Sequence, residues 1–313
     1  MEYPHEPVLV HEAMENLAVI PDGVYVDGTV GSGGHSRALA EKLGPRGRLI
    51  CLDRDPDAIR LSKTRLRFLG DRLSVLKASY GDLEEVLQQW GIPGIHGVLL
   101  DLGMSTHQLE GSGRGFSFNR DEPLDMRMDP DLEVNAGDLI NTLSMGQLEG
   151  ILKAYGEERK ARSIARKIVR VRERAPIRTS LQLAELIKSL FPAHGRAAAK
   201  HPATRTFQAL RIAVNRELEI LEVFLEKLPP LVLGGGRVVI IAYHSLEDRM
   251  VKQHMEKWER PCTCPPDFPR CVCGKEPLFR RVGPRPIRPG RLEIDQNPKA
   301  RSALLRAAER IMQ

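Results

Sequence analysis

Short apolar runs alternate with amphipathic segments along the first part of the chain. Each run is bounded by turn residues such as Gly44-Pro45, which predicts buried strands rather than one long helix. The predicted strands are Val24–Asp27, Arg48–Asp53, Leu73–Lys77 and Gly97–Leu102, and the predicted helices between them are Ser36–Leu43, Asp57–Phe68 and Leu83–Trp90. Strands and helices that alternate at this spacing indicate a parallel sheet with helices on both faces.

The alternation stops after Leu102 and resumes only at a strand predicted for Arg237–Ala242. Between them the apolar residues follow helical spacing, and one long helix is predicted at Phe207–Leu228. Further helices are predicted near Asn135–Leu143, Met145–Tyr155, Glu158–Arg174 and Ser180–Leu190. We therefore predict an α/β fold in which residues 1–108 and 206–313 form the sheet domain and residues 109–205 form an inserted helical domain. The tail after Trp258 has no clear pattern, and residues 260–275 within it form a Cys-rich loop.

Composition narrows the class of protein only slightly. The 313 residues are 42% hydrophobic and 28% charged, which is ordinary for a soluble globular protein. The net charge of +6 favours a polyanionic partner, although many basic proteins have none. No apolar run is long enough to cross a bilayer, and the start of the chain lacks a signal-peptide pattern. The distribution of the five cysteines does not resemble a disulfide framework and suits a reducing cytoplasm.

The strongest local signal is the glycine-rich turn that follows the first predicted strand, from Gly28 to Gly34. Glycine allows the backbone to approach a bound cofactor closely. The dinucleotide fingerprint G-x-G-x-x-G fails in both registers, because Val30 and Ser36 stand where glycines are required. A nicotinamide-dependent oxidoreductase is therefore disfavoured.

Three acidic residues, Asp27, Asp53 and Asp101, each end a different predicted strand. Ligands of open parallel sheets bind beyond the carboxyl ends of the strands, so these acids are expected at one site. In methyltransferases of this fold, an acid at the end of the second strand holds the ribose hydroxyls of the cofactor. The alternative is that each aspartate merely caps a turn, but their shared edge favours a binding site.

Eight short motifs occur in order along nearly the whole chain. They are Asp27-Gly28-Thr29 with Gly33-Gly34-His35-Ser36, DRDP at 53–56, LDLG at 100–103, RGFSF at 114–118, PLDMRM at 123–128, YGEER at 155–159, HPATRTFQALR at 201–211 and HSLEDR at 244–249. The ordered series resembles the ribosomal RNA small subunit methyltransferase H family. The resemblance implies a Rossmann-like class I methyltransferase sheet with an inserted helical domain. It also implies that S-adenosylmethionine donates a methyl group to the N4 amine of a cytidine in the decoding centre of 16S rRNA.

The resemblance also implies which residues contact the cofactor. Matched onto this sequence, they are Gly33, Gly34, His35, Asp53, Tyr80, Asp101 and Gln108. Two positions depart from the family pattern, which usually has Phe at Tyr80 and Ser-Pro at Thr106-His107. Either aromatic ring can cover an adenine, whereas the second departure makes the loop before Gln108 less rigid.

Catalysis requires groups that accept hydrogen bonds from the cytosine amine, because its lone pair is delocalised into the ring. Asp101 or nearby backbone carbonyls are the candidates, although Asp101 could instead contact only the amino group of the cofactor. His244 and Ser245 follow the resumed strand and are expected to face the site, with a turn histidine as the alternative for His244.

An extruded base is usually received by an aromatic or arginine plane. Phe116 and Phe118, in a Gly-rich loop, are candidates for this role, and core packing of the insert is the equal alternative.

A basic segment of the insert is the candidate RNA-binding surface. Between Arg159 and Arg174 there are eight Lys or Arg residues and one acid, Glu173. Arg159, Arg162, Arg166 and Arg170 share one helical face, which predicts phosphate contacts, and a solvated helix face is the alternative. Arg205 is a further candidate, near His194, Arg196, Lys200 and His201 in the chain. Six basic residues against one acid between Lys275 and Arg291 extend the basic character to the tail.

Four cysteines crowd into the tail as two C-x-C pairs, Cys262, Cys264, Cys271 and Cys273. Four thiols this close can enclose one tetrahedral zinc ion, although the usual spacing within a pair is wider. Free thiols in a mobile tail are the alternative. Some members of the resembled family lack the cluster, so a catalytic role is not expected.

A non-catalytic RNA-binding module of ribosome assembly is the rival function. It would explain the basic helix but would leave the three strand-end acids without a role. Detection of methyl transfer to small-subunit RNA separates the two hypotheses.

Overall fold

A computed structural model describes residues 7–191, 201–265, 268 and 272–312. The chain divides into two compact units. One comprises the residues up to Gly103 together with those from Leu218 on, and the other is Met104–Glu217. Along the chain, the boundaries between the sheet unit and the helical unit fall at residues 103/104 and 217/218. The sequence pattern predicts these boundaries at 108/109 and 205/206.

One seven-stranded sheet forms the centre of the first unit in the described residues. Its strands are β1 Val24–Asp27, β2 Arg48–Asp53, β3 Leu73–Lys77, β4 Ile95–Asp101, β5 Val232–Ala242, β6 Phe279–Arg281 and β7 Leu304–Arg310. Their order across the sheet is β3-β2-β1-β4-β5-β7-β6; the first five are parallel, and β7 is antiparallel to both of its neighbours. The predicted Rossmann-like class I methyltransferase fold is thereby confirmed.

Helices cover both faces of this sheet and make up most of the second unit. In chain order they are α1 Val10–Leu17, α2 Gly34–Ala40, α3 Pro56–Leu66, α4 Leu83–Gln89, α5 Thr106–Glu110, α6 Ala136–Thr142, α7 Met145–Gly156, α8 Ala161–Arg172, α9 Ser180–Lys188, α10 Thr204–Asn215, α11 Glu217–Lys227, α12 Ser245–Glu259 and α13 Arg291–Gln296. None of the described helices is both long enough and apolar enough to span a membrane.

Side chains of successive strand residues point to opposite faces, so each strand contributes to two cores. Val26 and Leu100 lie in the core on one face, whereas Tyr25 and Leu99 lie in the core on the other. Both cores are buried, which explains why the central strands read as continuous apolar runs rather than as alternating patterns.

The prediction of one long helix at Phe207–Leu228 is wrong. The chain forms two helices there, because Arg216 adopts a left-handed backbone conformation with φ 51° between α10 and α11. One contact that is distant in sequence and one local ion pair stabilise the break. The Asn215 amide donates to the carbonyl of Met126 at 2.8 Å, and the buried Arg211 guanidinium forms a bidentate pair with Glu217 at 2.9 Å. Neither glycine nor proline marks this position, so a local pattern could not predict it.

The tail that the sequence left unassigned supplies an edge of the sheet. It contains β6, α13 and β7, and β7 buries Leu305, Ala307 and Ala308. Alanines contribute little to a hydrophobic pattern, which explains why this strand gave a weak signal. The first helix, α1, is a second element that the pattern did not predict.

The second unit has a separate hydrophobic core. Ile164, Ala165 and Ile168 of α8 are fully buried in it, as the helical spacing of these residues predicts. Leu148 of α7 and Phe207 of α10 pack in the same core. The described residues of this unit contain no strand, only an isolated bridge between Pro123 and Thr179.

Candidate active site

Three strand-end aspartates meet at one edge of the first unit. β1 lies between β2 and β4 in the parallel part of the sheet, so the carboxyl ends of the three strands are adjacent. Asp27, Asp53 and Asp101 are the last residues of these strands. The edge is therefore where a ligand of this fold is expected.

The glycine turn after β1 lies at this edge and leads into α2. A Cβ atom on Gly28 would lie 2.4 Å from a methyl carbon of Leu100 and 2.9 Å from the Cβ of Tyr80, so a larger residue does not fit. Gly31 and Gly33 have φ of 50° and 80°, a region that favours glycine. Gly33 immediately precedes the first residue of α2, Gly34. The predicted cofactor residues Gly33 and Gly34 thus lie at the start of a helix beside the three aspartates.

Asp27 stabilises the turn itself. Its carboxylate accepts the Thr29 N–H at 3.2 Å and the Ser36 hydroxyl at 2.5 Å, and only 1% of the residue is exposed. Burial raises the pKa of this carboxyl, while the bond from Ser36 acts in the opposite direction. Both oxygens serve the local backbone and α2, so Asp27 is a structural residue of the site.

Asp53 links the turn after β1 to the loop after β2. Its Oδ2 accepts the Gly31 N–H and its Oδ1 accepts the Asp55 N–H, both at 2.9 Å. Burial raises the pKa of Asp53 to about 6, although both backbone bonds lower it. A carboxylate oxygen has two lone pairs, so each oxygen retains capacity for a further donor such as a ribose hydroxyl.

Tyr80 lies beside the glycine turn. It begins a single helical turn, Tyr80–Asp82, which a reciprocal pair of hydrogen bonds between Ser79 and Asp82 stabilises. The ring packs edge-on against Phe224, with centroids 5.4 Å apart and an interplanar angle of 83°. Tyr80 is half-buried and its Cβ approaches the position of Gly28, which is consistent with a ring that covers a bound adenine.

Asp101 contacts residues from three other parts of the site: Tyr243 after β5, His35 of α2 and Thr29 of the glycine turn. Its Oδ1 accepts the Tyr243 hydroxyl at 2.7 Å, and its Oδ2 lies 3.5 Å from His35 Nδ1. Its backbone N–H donates to Thr29 Oγ1 at 2.7 Å. The other ring nitrogen of His35 lies 2.9 Å from the carbonyl oxygen of Val8, which fixes the ring. The structure therefore brings His35 and Asp101 into contact, and the contact of each with the cofactor stays a prediction.

Tyr243 is a residue of this edge that the sequence pattern did not single out, and its hydroxyl contacts Asp101. It directly follows β5 and precedes His244, so its place at the carboxyl end of a strand was the available signal. Burial, together with the negative charge of Asp101, raises the pKa of Tyr243 well above its ordinary value. The hydroxyl therefore remains a donor to Asp101 at neutral pH.

His244 caps helix α12. Its Nδ1 accepts the Glu247 N–H at 3.3 Å, and its Nε2 lies 3.1 Å from Glu247 Oε1. Glu247 in turn accepts the Tyr243 N–H at 2.9 Å. These contacts are those of the alternative role, a turn histidine. Ser245, the first residue of α12, is exposed. A catalytic role for His244 or Ser245 stays a prediction.

Gln108 belongs to the second unit, where it stabilises the start of α5. Its side-chain oxygen accepts the Ser105 N–H at 3.1 Å, and its own N–H donates to Ser105 Oγ at 3.2 Å. Only 6% of Gln108 is exposed. Its predicted contact with the cofactor stays a prediction.

For the two candidate base-stacking rings, the structure supports the core-packing alternative. Phe116 is 4% exposed and lies in the core of the second unit. Phe118 stacks on His201 with ring centroids 4.5 Å apart and lies nearly perpendicular to the ring of Phe207, at 89°. Phe116 is therefore buried and Phe118 is partly covered, and a base-stacking role for either ring stays a prediction.

The basic helix does form an exposed stripe. Arg162, Arg166 and Arg170 lie on the solvent face of α8, and Arg159 just before the helix is also exposed. Within the described part of the chain, none of these four guanidinium groups makes a hydrogen bond or an ion pair. Their charges reach Glu149, whose pKa is lowered chiefly by Lys153 and also by Arg162 and Arg166.

The other basic candidates differ in their placement. Arg205 is exposed but donates to the carbonyl of Glu157 at 3.1 Å. His194, Arg196 and Lys200 lie outside the described residues.

Three of the four tail cysteines are close together. The sulfur atoms of Cys262, Cys264 and Cys273 all lie within 4.8 Å of one another, while Cys271 lies outside the described residues. The Val272 N–H donates to Cys264 Sγ at 3.4 Å. The structure thus assembles a set of thiols that could hold a metal ion.

The chain is similar to known proteins over its whole length. The model of the MraW methylase family matches residues 2–311. A protein of Trichlorobacter lovleyi named ribosomal RNA small subunit methyltransferase H is 50% identical over 310 residues, which cover 99% of each chain. The protein of the same name from Geobacter sulfurreducens is 48% identical, covering 99% of this chain and 100% of that one.

Solved structures are more distant. Fibrillarin from Aeropyrum pernix, in complex with natively bound S-adenosyl-L-methionine, aligns with a TM-score of 0.40 and 8% identity over 95% of this chain and 73% of that chain, which is too remote to bear on this site. The full-length matches decide the family. This chain belongs to the MraW methylase family.

Proposed function

We propose that the protein transfers a methyl group from S-adenosylmethionine to the exocyclic N4 amine of a cytidine in the decoding centre of 16S rRNA. One observation carries this proposal. Asp53 and Asp101 lie at the same edge of the sheet, on either side of the glycine turn that follows β1. The curated relatives are named as methyltransferases of small-subunit ribosomal RNA, which supports the substrate class. The choice of N4 follows from the resemblance of the motifs.

The residues at this edge fit S-adenosylmethionine. In this proposal Asp53 accepts the ribose hydroxyls and Tyr80 covers the adenine. The glycine turn lies between Asp53 and Asp101, where bare backbone leaves room for the methionine part. The cofactor has no pyrophosphate, which agrees with the absence of the dinucleotide glycine spacing in this sequence.

The chemical step is a displacement at the sulfonium methyl group. The N4 lone pair attacks the methyl carbon, the carbon–sulfur bond breaks, and S-adenosylhomocysteine leaves with that electron pair. N4 then loses a proton to an acceptor or to water. Alignment of the two reactants contributes ~7–11 kcal/mol at best, so positioning is the main task of the protein.

Asp101 is the group best placed to accept a hydrogen bond from the cytosine amine. Such a bond draws the N–H out of the plane of the ring and frees the lone pair for attack. Tyr243 and His35 hold the two oxygens of this carboxylate from different elements, so it is preorganised. The alternative is that Asp101 contacts only the amino group of the cofactor.

The stripe on α8 supports an RNA substrate. We expect an Arg162→Gln/Arg166→Gln variant to bind small-subunit RNA more weakly and to reduce the slope of log affinity against log salt by about 1.4 to 1.8, because each lost phosphate contact removes ~0.7–0.9. Filter binding over a range of salt concentrations measures this slope. An Arg178→Gln/Lys188→Gln variant, which removes two exposed charges from the same unit, is the control. An equal loss of RNA affinity in both variants would mean that the arginines on α8 contribute only through the net charge, which would contradict a specific RNA contact.

For the cysteine cluster, we infer a structural zinc ion. Thiolates select zinc among the common metals, and Cys262, Cys264 and Cys273 already lie close enough to share one ion. None of the described residues between 261 and 277 is buried, and Phe268 and Val272 are 50% and 72% exposed. The loop is closed at its base by the Leu278 N–H, which donates to the Trp258 carbonyl at 2.8 Å. A loop without an apolar core of its own gains no stability from hydrophobic burial. The free energy of metal binding would stabilise its folded conformation instead.

Metal analysis tests this inference directly. Purified protein is expected to contain about one zinc per chain, since one tetrahedral site requires four ligands and this segment has four cysteines. A Cys273→Ser variant should lose most of the metal, because a hydroxyl is a poor ligand for zinc. Cys51 is buried in the sheet unit, so a Cys51→Ala variant should retain the metal. Zinc-free wild-type protein that is prepared without chelators would refute the site.

A transfer assay separates methylation from a purely assembly-related role. The protein is incubated with S-adenosylmethionine labelled in its methyl group, beside either naked 16S rRNA or intact small subunits that lack the modification. Label in either RNA supports catalysis and shows which form is the substrate. Tight RNA binding without label in both would favour the non-catalytic ribosome-assembly module.

A further inference from the structure

A proline-rich segment that runs into the first residue of α13 presents three unpaired arginines. Arg285, Arg288 and Arg291 recur every third residue, and all three are exposed. Within the described residues none of their guanidinium groups makes a hydrogen bond or an ion pair. Proline rings at 284, 286 and 289 fix the backbone φ angle between them, so the segment loses less entropy when it binds a partner. We call these three side chains the arginine rim.

The register of the sheet places the arginine rim near Asp101. Ile287, within the rim segment, exchanges two backbone hydrogen bonds of 2.9 Å with Leu305 of β7. Leu305 pairs with Ile241 of β5, and Ile241 pairs with Asp101 of β4. Asp101 and Ile287 are therefore three strand spacings apart along one line, which is about 14 Å. The rim lies at the carboxyl edge of the parallel strands, on the side of the candidate active site.

A second chain of contacts supports this position. Glu293 of α13 accepts the Leu9 N–H at 2.7 Å. The residue before Leu9, Val8, holds the ring of His35 through its carbonyl, and His35 contacts Asp101. The segment that carries the arginine rim is therefore connected to Asp101 both across the sheet and through the chain that precedes α1.

We propose that the arginine rim binds backbone phosphates of the RNA strand that flanks the target cytidine. A cytidine placed beside Asp101 carries its neighbouring nucleotides past this edge, and 14 Å is a span of only a few nucleotides. The planar guanidinium matches phosphate geometry and stays charged at any physiological pH. Leu292, next to Arg291, is 79% exposed, and an apolar side chain among arginines is suited to packing against a ribose or a base. This inference rests on the proposed function.

A charge-matched pair of variants tests the proposal. The rim variant is Arg285→Gln/Arg288→Gln/Arg291→Gln. The control is Arg46→Gln/Arg48→Gln/Arg67→Gln, which removes three exposed arginines at the amino ends of β2 and β3, on the opposite edge of the sheet. Affinity for small subunits that lack the modification is measured between about 50 and 200 mM salt, beside the affinity for S-adenosylmethionine and the thermal unfolding temperature.

We expect the rim variant to bind the subunits at least about tenfold more weakly near physiological salt and to lower the salt slope by about 2, with unchanged cofactor affinity and unfolding temperature. The control should stay near the wild type. Equal behaviour of the two variants, or a loss of cofactor affinity in the rim variant, would overturn the proposal while wild-type methylation still upheld the proposed function. Failure of the wild type to bind the subunits or to methylate them would instead refute the proposed function, and the rim proposal with it.

Discussion

An Asp53→Asn variant is expected to bind S-adenosylmethionine about a hundredfold more weakly than the wild type. The carboxylate would accept both ribose hydroxyls, and hydrogen bonds to a charged group contribute ~1.5–3 kcal/mol each. A loss of ~3 kcal/mol corresponds to roughly a hundredfold in the dissociation constant. Isothermal titration calorimetry measures this change. An Asp22→Asn variant is the control, because Asp22 is exposed and its carboxylate pairs with Arg46.

The pH dependence of binding identifies the carboxylate more specifically. The pKa of Asp53 is raised to about 6, so the carboxylate form is lost in the free protein as the pH falls through about 6. The affinity of the wild type should therefore fall toward about tenfold per pH unit at more acidic pH, whereas the Asn variant should be weak at every pH. A wild-type affinity that is constant between pH 5 and 7, or an Asn variant with normal affinity, would exclude Asp53 from the ribose site.

An Asp101→Asn variant is expected to lose about a hundredfold in turnover while its affinity for S-adenosylmethionine changes only a few-fold. Removal of one preorganised electrostatic contact to a reacting group costs 10²–10³ in rate in comparable cases. The Tyr243 hydroxyl can still donate to the amide oxygen, so the local geometry is retained. Single-turnover kinetics with saturating cofactor measure the chemical step apart from binding.

A Tyr243→Phe variant is the companion to this experiment. It keeps the carboxylate of Asp101 but removes its donor, so a smaller loss of turnover without a change in cofactor affinity is expected. Full turnover of the Asp101→Asn variant would remove Asp101 from the chemistry. A parallel loss of cofactor affinity and turnover would instead support the alternative in which Asp101 contacts only the cofactor.

The central strands could be predicted from the sequence because they are buried on both faces. β1, β2 and β4 are short, nearly continuous apolar runs, a pattern typical of strands that are buried on both faces. An acid ends each run. The shared carboxyl edge then follows from the parallel topology alone. This is why the positions of Asp53 and Asp101 at the sheet edge could be predicted from the sequence alone.

Contacts between residues that are distant in sequence explain the failures. The break at Arg216 is stabilised by Asn215, whose amide donates to the carbonyl of Met126, 89 residues away in the chain. The interior position of Phe116 follows from the packing of the helical unit, whereas its Gly-rich sequence context indicates an exposed loop. The role of Tyr243 requires knowledge that β4 and β5 are adjacent, because only that pairing brings its hydroxyl to Asp101.

The three aspartates show the limit of sequence reasoning within the site. All three end strands at the same edge, yet Asp27 is occupied by the Thr29 N–H and the Ser36 hydroxyl. Asp53 and Asp101 differ from it because they remain partly exposed. A sequence pattern identifies the edge, but the exposure of each carboxylate in the folded chain decides which acid a ligand can reach.

The proposed transfer to cytosine N4 is tested most directly by the chemical identity of the product. Small subunits that lack the modification are incubated with the protein and S-adenosylmethionine carrying a deuterated methyl group, and the RNA is digested to nucleosides. Liquid chromatography with mass spectrometry separates N4-methylcytidine from its 5-methyl and 2′-O-methyl isomers. We expect the deuterated methyl group in N4-methylcytidine, and a much lower yield of it from the Asp53→Asn variant when the cofactor is subsaturating. Deuterium in another nucleoside, or in none, would contradict the proposed function.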